Sequence, residues 1–371
     1  MSILLGIILF LLFLGGYFVR SSVFGQVPKT EQSKEFEKSS SYNKEKGRFE
    51  NRQSHLHAQM NKKNFHIPTF LETMSEWRNN KRGVPDRALP SMAPDLEKFL
   101  ACDEDDVKFI WLGHSTFLLR MAQKTILVDP VFSSVASPLP FLARRFQKPP
   151  LSLEDLPDID FVLISHDHYD HLDMNSIKFF KDKHCLFIAP LGLSSHLMHW
   201  GIEKERIEEA DWWEGIEIKE LTFTATPSQH FSGRDLFNSN KTLWASWVIA
   251  SDDHRVFFSG DSGYDTHFKE IGQHLGPFDL AFIETGQYNP KWQEVHMLPR
   301  DSAQAFIDLK AKYYVPIHWG MFELSLHAWD EPIIEISRYA KELTIPLLTP
   351  QLGELVDLKT PETTQGWWKS S

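Results

Sequence analysis

Within six residues, His166-Asp167-His168-Tyr169-Asp170-His171, the chain carries three imidazoles and two carboxylates, and the apolar run Phe161-Val162-Leu163-Ile164-Ser165 leads directly into them. Imidazole nitrogen and carboxylate oxygen are the donors that borderline divalent metals such as zinc prefer, and side chains at the end of a buried strand can converge on one point. The pattern predicts a metal cradle. A solvated loop rich in histidine is the competing reading, since the 371 residues include 17 His. Recurrence argues against it. Three more strand-like runs stop at a His or an Asp: Leu221-Thr222-Phe223-Thr224-Ala225-Thr226 ahead of His230, Val256-Phe257-Phe258-Ser259-Gly260 ahead of Asp261, and Tyr313-Tyr314-Val315-Pro316-Ile317 ahead of His318. Strand ends contributing from four separate places are how a rigid scaffold builds a site.

The candidate ligands are therefore His166, His168, Asp170, His171, His230, Asp261 and His318. Seven donors are too many for one tetrahedral ion and suit two. The physical division assigns His166, His168 and His230 to one metal and Asp170, His171 and His318 to the other, with Asp261 bridging through its two oxygens. Two metals roughly 3.5 to 4 Å apart can share a water whose pKa falls to about 7, so hydroxide becomes available at neutral pH. The chemistry implied is hydrolysis. Iron and manganese take the same donors, so ligand type alone leaves zinc, iron and manganese open.

The order and spacing of the H-x-H-x-D-H element, a distant His, a bridging Asp and a last His resemble the metallo-β-lactamase superfamily. Within it the chain is similar to the N-acylphosphatidylethanolamine-hydrolysing phospholipase D group, through Trp111-Leu112-Gly113-His114-Ser115-Thr116, Asp129-Pro130, Pro157-Asp158-Ile159-Asp160, Asn240-Lys241-Thr242-Leu243-Trp244-Ala245-Ser246-Trp247, Gly260-Asp261-Ser262-Gly263 and Pro316-Ile317-His318-Trp319-Gly320. The likeness spans roughly residues 65 to 350. It implies an α/β fold, an αββα sandwich of two central mixed β-sheets flanked by helices. It also implies two zinc ions, cleavage of a phosphodiester in a lipid, and contact of Tyr169 and His296 with substrate. No Cys stands among the ligands, which separates the chain from relatives whose second metal uses a thiolate.

Two dications, two ligand carboxylates and one hydroxide leave about one net positive charge at the centre, which would draw in a phosphodiester monoanion. Hydroxide would attack phosphorus in line, Asp170 would orient the nucleophile, and His296 would donate a proton or hydrogen-bond the leaving group. A lactone or carboxyl-ester hydrolase remains an alternative, because the same nucleophile attacks carbonyls. A membrane-tethered, metal-stabilised binding protein is the reading outside enzymology, and a full seven-ligand set weighs against it.

Ile3 to Val19 is an almost unbroken apolar stretch of 17 residues, at the short limit for a helix crossing about 30 Å of hydrocarbon. No basic residue precedes it, unlike the n-region of a cleaved signal peptide. A single-pass anchor over 1–20 is expected. Arg20, Lys29, Lys34 and Lys38 follow, and the positive-inside rule then faces the body toward the cytoplasm. Residues 20–90 hold 14 basic and 8 acidic side chains against 25 and 42 in the remainder, so a basic arm precedes an acidic body. An acidic body argues against nucleic acid as partner, because phosphate-backbone binding needs a basic face. A basic arm beside an anchor would lie against anionic lipid headgroups or act as a solvated tether.

The polar stretch after the anchor reads as a linker arm over 21–64, and the hydrolase domain is expected over 65–371. Short β-type runs such as Val107-Lys108-Phe109-Ile110-Trp111 and Thr125-Ile126-Leu127-Val128 give way to alternating helical patterns, with Asp173 and Asp301 as candidate helix caps. That order suits strands at the centre and helices outside. The loop from Val131 to Phe146 mixes apolar residues with Arg144 and Arg145, and two readings are open: a cover over the metals or a dip into a bilayer surface that brings both arginines to phosphates, or an ordinary core-packed loop.

Overall fold

Strands that are apolar on both faces must be covered on both faces, and this requirement organises the molecule. A computed structural model describes residues 21–53, 82–101 and 106–370 except Leu236, together with Gly6, Gly15, Gly16, Glu72, Ser75, Glu76, Asn80 and Asp103. In chain order the strands are β1 (Tyr42–Asn43), β2 (Arg48–Phe49), β3 (Val107–Gly113), β4 (Thr116–Met121), β5 (Lys124–Val128), β6 (Phe161–Leu163), β7 (Leu186–Pro190), β8 (Ile207–Ala210), β9 (Gly215–Ile218), β10 (Leu221–Thr226), β11 (Ser246–Ala250), β12 (Arg255–Phe258), β13 (Phe278–Glu284), β14 (Ala311–Ile317) and β15 (Leu355–Asp357). One sheet has the order β15-β3-β4-β5-β6-β7-β8 and the other β14-β13-β12-β11-β10-β9. Both are mixed.

Alternation along each strand decides which layer a side chain joins. Phe109, Trp111, Phe161 and Leu163 enter the core between the sheets, while their neighbours Ile110, Leu112, Val162 and Ile164 face outward into a second core. The inner contact is aromatic: Phe117 stacks on Phe282 with centroids 3.9 Å apart, and Phe161 meets Phe223 at 5.0 Å. On the outer face of the first sheet, the short helices Met174–Phe179 and Ser194–His199 bury Ile177 and Leu197. On the second sheet, Phe257 packs on Phe268 of helix His267–His274 and Tyr314 on Phe306 of helix Pro299–Leu309. Helix Glu331–Leu343 completes that layer with Ile333 and Ile336 buried. The architecture is the expected αββα sandwich.

Strand direction gathers the site at one edge. β3 is antiparallel to β4 and β4 to β5, while β5 and β6 are parallel, so β3, β5 and β6 end on the same side. By the same reasoning β10, β12, β13 and β14 end together. Every run that stops at a candidate ligand belongs to one of these two sets.

Three expectations change. Among the described residues no helix is long and apolar enough to cross a membrane, and the longest, Glu331–Leu343, has 13 residues where a span takes about 20. The single-pass anchor over 1–20 is therefore corrected, and with it the cytoplasmic orientation inferred from flanking charge; apart from the three glycines, that stretch lies outside the described residues. The expected linker arm is, over 21–53, packed on the body: Phe36, Tyr42 and Phe49 form a ring cluster with centroids 5.0 to 5.9 Å apart against Leu243 and Trp244. Three well-spaced aromatics suffice to dock a polar segment. Finally, Asp173 caps its helix by accepting from Asn175, but Asp301 does not cap; Pro299 opens that helix and leaves Asp301 in the first turn, where its charge favours the helix dipole.

If residues 21–53 are part of the fold, Phe49→Ala should destabilise the protein by about 3 to 5 kcal/mol in urea unfolding, as emptying a buried aromatic site does. A tethering arm would give a change within about 0.5 kcal/mol.

Candidate metal centre

All seven expected ligands meet at the common strand edge. His166 Nε2 lies 2.9 Å from His168 Nδ1, which lies 3.1 Å from His230 Nε2. Asp261 Oδ2 faces this group, 3.7 Å from His166 Nε2 and 3.6 Å from His230 Nε2. Its other oxygen turns the opposite way, with Oδ1 3.2 Å from both His171 Nε2 and His318 Nδ1. Asp170 Oδ2 stands 3.5 Å from His171 Nε2. Donors about 2.0 to 2.1 Å from a tetrahedral ion sit roughly 3.3 Å from one another, so these spacings suit two adjoining cages.

Sharp backbone bends deliver the side chains. His114, Asp129 and His318, each just past a strand end, have φ of 54°, 37° and 67°, a region that side chains larger than glycine adopt only at a cost. Gly260 (φ 54°) precedes Asp261 where a Cβ would approach Ala245 O and Ser165 Cβ to 2.9 Å, so the strand can turn there only with glycine.

The electrostatics fit a cation. Burial, joined by neighbouring imidazoles, holds His166, His230 and His318 well below the ordinary histidine range, so they are neutral and offer lone pairs. His171 goes the other way: against the effect of burial, the carboxylates of Asp261, Asp170 and Asp129 push it well above its usual value. Three carboxylates about one imidazole require positive charge at that point. Burial also raises Asp261 to about 6. His171 Nε2 and Asp261 Oδ1 are both buried without a hydrogen-bond partner, and a metal between them would satisfy both.

Several residues that orient the ligands were not assigned a role from sequence. Asp129 accepts from Ser165 N at 2.8 Å, from Ser165 Oγ at 2.6 Å and from His171 Nδ1 at 2.6 Å, leaving His171 Nε2 for a metal. His230 Nδ1 faces Val295 O at 3.1 Å, which leaves its Nε2 in the cluster. Asn51 clasps the His230 backbone, donating to its carbonyl at 2.7 Å and accepting from its N–H at 3.1 Å. His114 Nε2 lies 2.9 Å from Asp170 Oδ2 and groups with Asp170, His171 and His318. Glu284, fully buried at the end of β13, binds His296 Nδ1 at 2.8 Å. His114 and Asp129 both stand just past strand ends, so the rule of a strand-like run stopping at a His or an Asp would have picked them out too, and Glu284, which ends β13, would have followed had the rule included Glu.

The two expected substrate contacts differ in their surroundings. His296 stacks on His318 with centroids 5.3 Å apart, at the mouth of the cluster. Tyr169 is half-buried, and its hydroxyl donates to Arg234 O at 2.6 Å. In the 131–146 loop Arg145 turns inward, donating to the carbonyls of Val131 and Ser133 beneath Phe322, while Arg144 is exposed.

Comparison with known proteins accords with this geometry. The family model of a beta-lactamase superfamily domain matches residues 124–319. The chain is 38% identical over 290 residues to an uncharacterized protein of Mycobacterium tuberculosis, covering 77% of each. It is 35% identical over 266 residues to N-acyl-phosphatidylethanolamine-hydrolyzing phospholipase D 1 of Caenorhabditis elegans, covering 68% of this chain and 74% of that one. Among solved structures, a metallo hydrolase from Ignicoccus hospitalis superposes with a TM-score of 0.54 at 20% identity, over 68% of this chain and 98% of the other, a likeness of fold.

Elemental analysis of the purified protein should find about two metal ions per chain, and Asp261→Asn, which removes the two-sided carboxylate, should retain less than one. Stripping the metals with a chelator should lower Tm by roughly 10 °C, reversibly on adding zinc, as loss of a ligand bound only by the folded state does. Full occupancy in Asp261→Asn would refute the bridge.

Proposed function

The chain belongs to the metallo-β-lactamase superfamily and is a metal-dependent hydrolase, and from that premise we propose that it is a dinuclear zinc phosphodiesterase acting on a phospholipid of the N-acylphosphatidylethanolamine type. The observation that carries the reading is Asp261, whose two oxygens address two separate groups of imidazoles. The phospholipid is supported by the 35% identity to a relative whose name states that substrate.

His166, His168, His230 and Asp261 would hold one ion, and Asp170, His171, His318 and Asp261 the other. When bound, the pair would supply a water acidified to a pKa of about 7 and positive charge against the phosphoryl oxygens. The protein's own groups then have distinct tasks. Asp170, held by His114, accepts a hydrogen bond from the attacking water and fixes its direction toward phosphorus. His296 passes the proton on its Nε2 to the departing head-group oxygen as the P–O bond breaks. Glu284, whose carboxyl burial pushes well above the usual range and so holds protonated, aims the ring and gives its proton to His296 Nδ1 as the Nε2 proton leaves, while its other oxygen accepts from Met297 N. Tyr169 meets the substrate through its ring edge and hydroxyl lone pairs, its proton being directed to Arg234.

A screen with an N-acylated phospholipid in mixed micelles, bis-para-nitrophenyl phosphate and a lactone tests the reaction class. Turnover of both diesters is expected, and hydrolysis of the lactone alone would overturn the reading. His296→Ala should lower kcat on the lipid by about 100-fold or more with metal content unchanged, and by much less on the nitrophenyl diester, whose leaving group needs no proton. Equal losses on both substrates would remove His296 as the proton donor.

A further inference from the structure

Arg234 lies four residues after His230 and is 4% exposed, far inside the protein for an arginine. Its guanidinium faces three carbonyls. Nη1 donates to Asp167 O at 2.7 Å and to Leu172 O at 2.8 Å, while Nε and Nη2 donate to Val23 O at 3.2 and 2.8 Å. Asp167 and Leu172 bracket the turn that presents His168, Asp170 and His171. One nitrogen thus closes that turn from both ends, and the same side chain is covalently tied to the segment that presents His230. The Tyr169 ring covers the guanidinium at 4.0 Å, and the Tyr169 hydroxyl returns to Arg234 O.

Asp167 repeats the connection from its side chain. Its carboxylate accepts from Gly233 N at 2.7 Å and Thr242 Oγ1 at 3.0 Å, and lies 3.3 Å from His196 Nε2. Asp167 occupies the second position of the histidine turn, yet its carboxylate is engaged by Gly233, Thr242 and His196 rather than by the other donors. Its work is to hold the turn against the 233–242 loop.

The third carbonyl comes from the amino-terminal segment. Residues 22–26 lie across this assembly: Trp200 Nε1 donates to Ser22 O at 2.7 Å and Gln26 N to His196 Nδ1 at 3.0 Å. At Gly25 (φ 68°) a Cβ would collide with the His196 imidazole, so the approach requires glycine.

We infer that Arg234 is a positioning residue that sets the separation between the histidine turn and His230, and that the strap of residues 22–26 locks it in place. The inference rests on the reading that these histidines hold metal. A planar fork of donors in fixed directions suits three carbonyls, whereas a lysine ammonium at the same place is a point donor on a shorter reach. Loosening the fork leaves buried carbonyls without partners and lets the two ligand-bearing segments drift, so the metal shared between His166, His168 and His230 should escape faster.

The test measures zinc release from the intact protein to a chromogenic chelator. Wild type is assayed first, and a chain without bound zinc would overturn the metal reading and this inference together. Arg234→Lys is expected to release zinc about tenfold faster, with kcat reduced and KM within about twofold. Trp200→Phe removes the donor to Ser22 O and shrinks the ring that the Arg234 guanidinium faces at 5.1 Å, replaces none of the expected ligands, and is expected to give about threefold faster release even if Arg234→Lys folds poorly. Ile336→Ala, a core variant far from the site, serves as the control for lost stability. Release from both the Arg234→Lys and Trp200→Phe proteins within twofold of wild type, or an equal acceleration in Ile336→Ala at matched Tm, would overturn the inference.

Discussion

Three imidazole nitrogens, those of buried His166 and His230 and of half-buried His168, face one another across about hydrogen-bond distance, with a carboxylate oxygen of Asp261 beside them. Lone pairs gathered in this way repel, and burial removes the water that would otherwise relieve them. A cation between them would turn the arrangement from costly to favourable. The remainder of the molecule is what keeps these groups together before that cation arrives. This explains why the bends at His114, Asp129 and His318 lie in a sparsely populated backbone region: the strain is held by sheets whose own pairing and packing are strong.

Neither sheet alone could do it. The first supplies the histidine turn, with Asp129 and His114, and the second supplies His230, Asp261, Glu284 and His318. The ligands therefore meet only if the inner faces pack in register, which the aromatic contacts of Phe109, Phe117 and Phe161 with Phe282 and Phe223 determine. Close-packed rings admit few alternative offsets. The core between the sheets is thus as much a part of the site's geometry as the residues that bend the chain.

Outside the donors themselves, three of the expected ligands have a partner that settles their direction. Asp129 takes one nitrogen of His171, Val295 one nitrogen of His230, and His114 the carboxylate of Asp170. These contacts tie the orientation of a ring to distant parts of the chain, including Asn51 near the amino terminus. A segment with the composition of a linker is consequently part of the wall of the centre. Its polar residues are partners of backbone groups in the site, and its aromatics are a small core of their own.

The side chains that gather at the strand edge were legible in the sequence because a metal would constrain residue type and because a buried strand has an unmistakable apolar run with a defined end. His166, His168, Asp170, His171, His230, Asp261 and His318 could be named from those two signals, and the layered fold followed from the alternation of strand and helix patterns. His114 and Asp129 satisfy the same rule and were legible in principle, and Glu284 needs only its extension to Glu. Tertiary structure alone decided the rest. Arg234, Asp167 and Asn51 act through carbonyls and N–H groups, which every residue has, so no local pattern marks them. The docking of residues 21–53 depended on Leu243 and Trp244 being available in space, two hundred residues along the chain. Chemistry that requires particular atoms leaves its mark in composition and spacing, whereas support that any backbone can accept is specified only once the chain has folded.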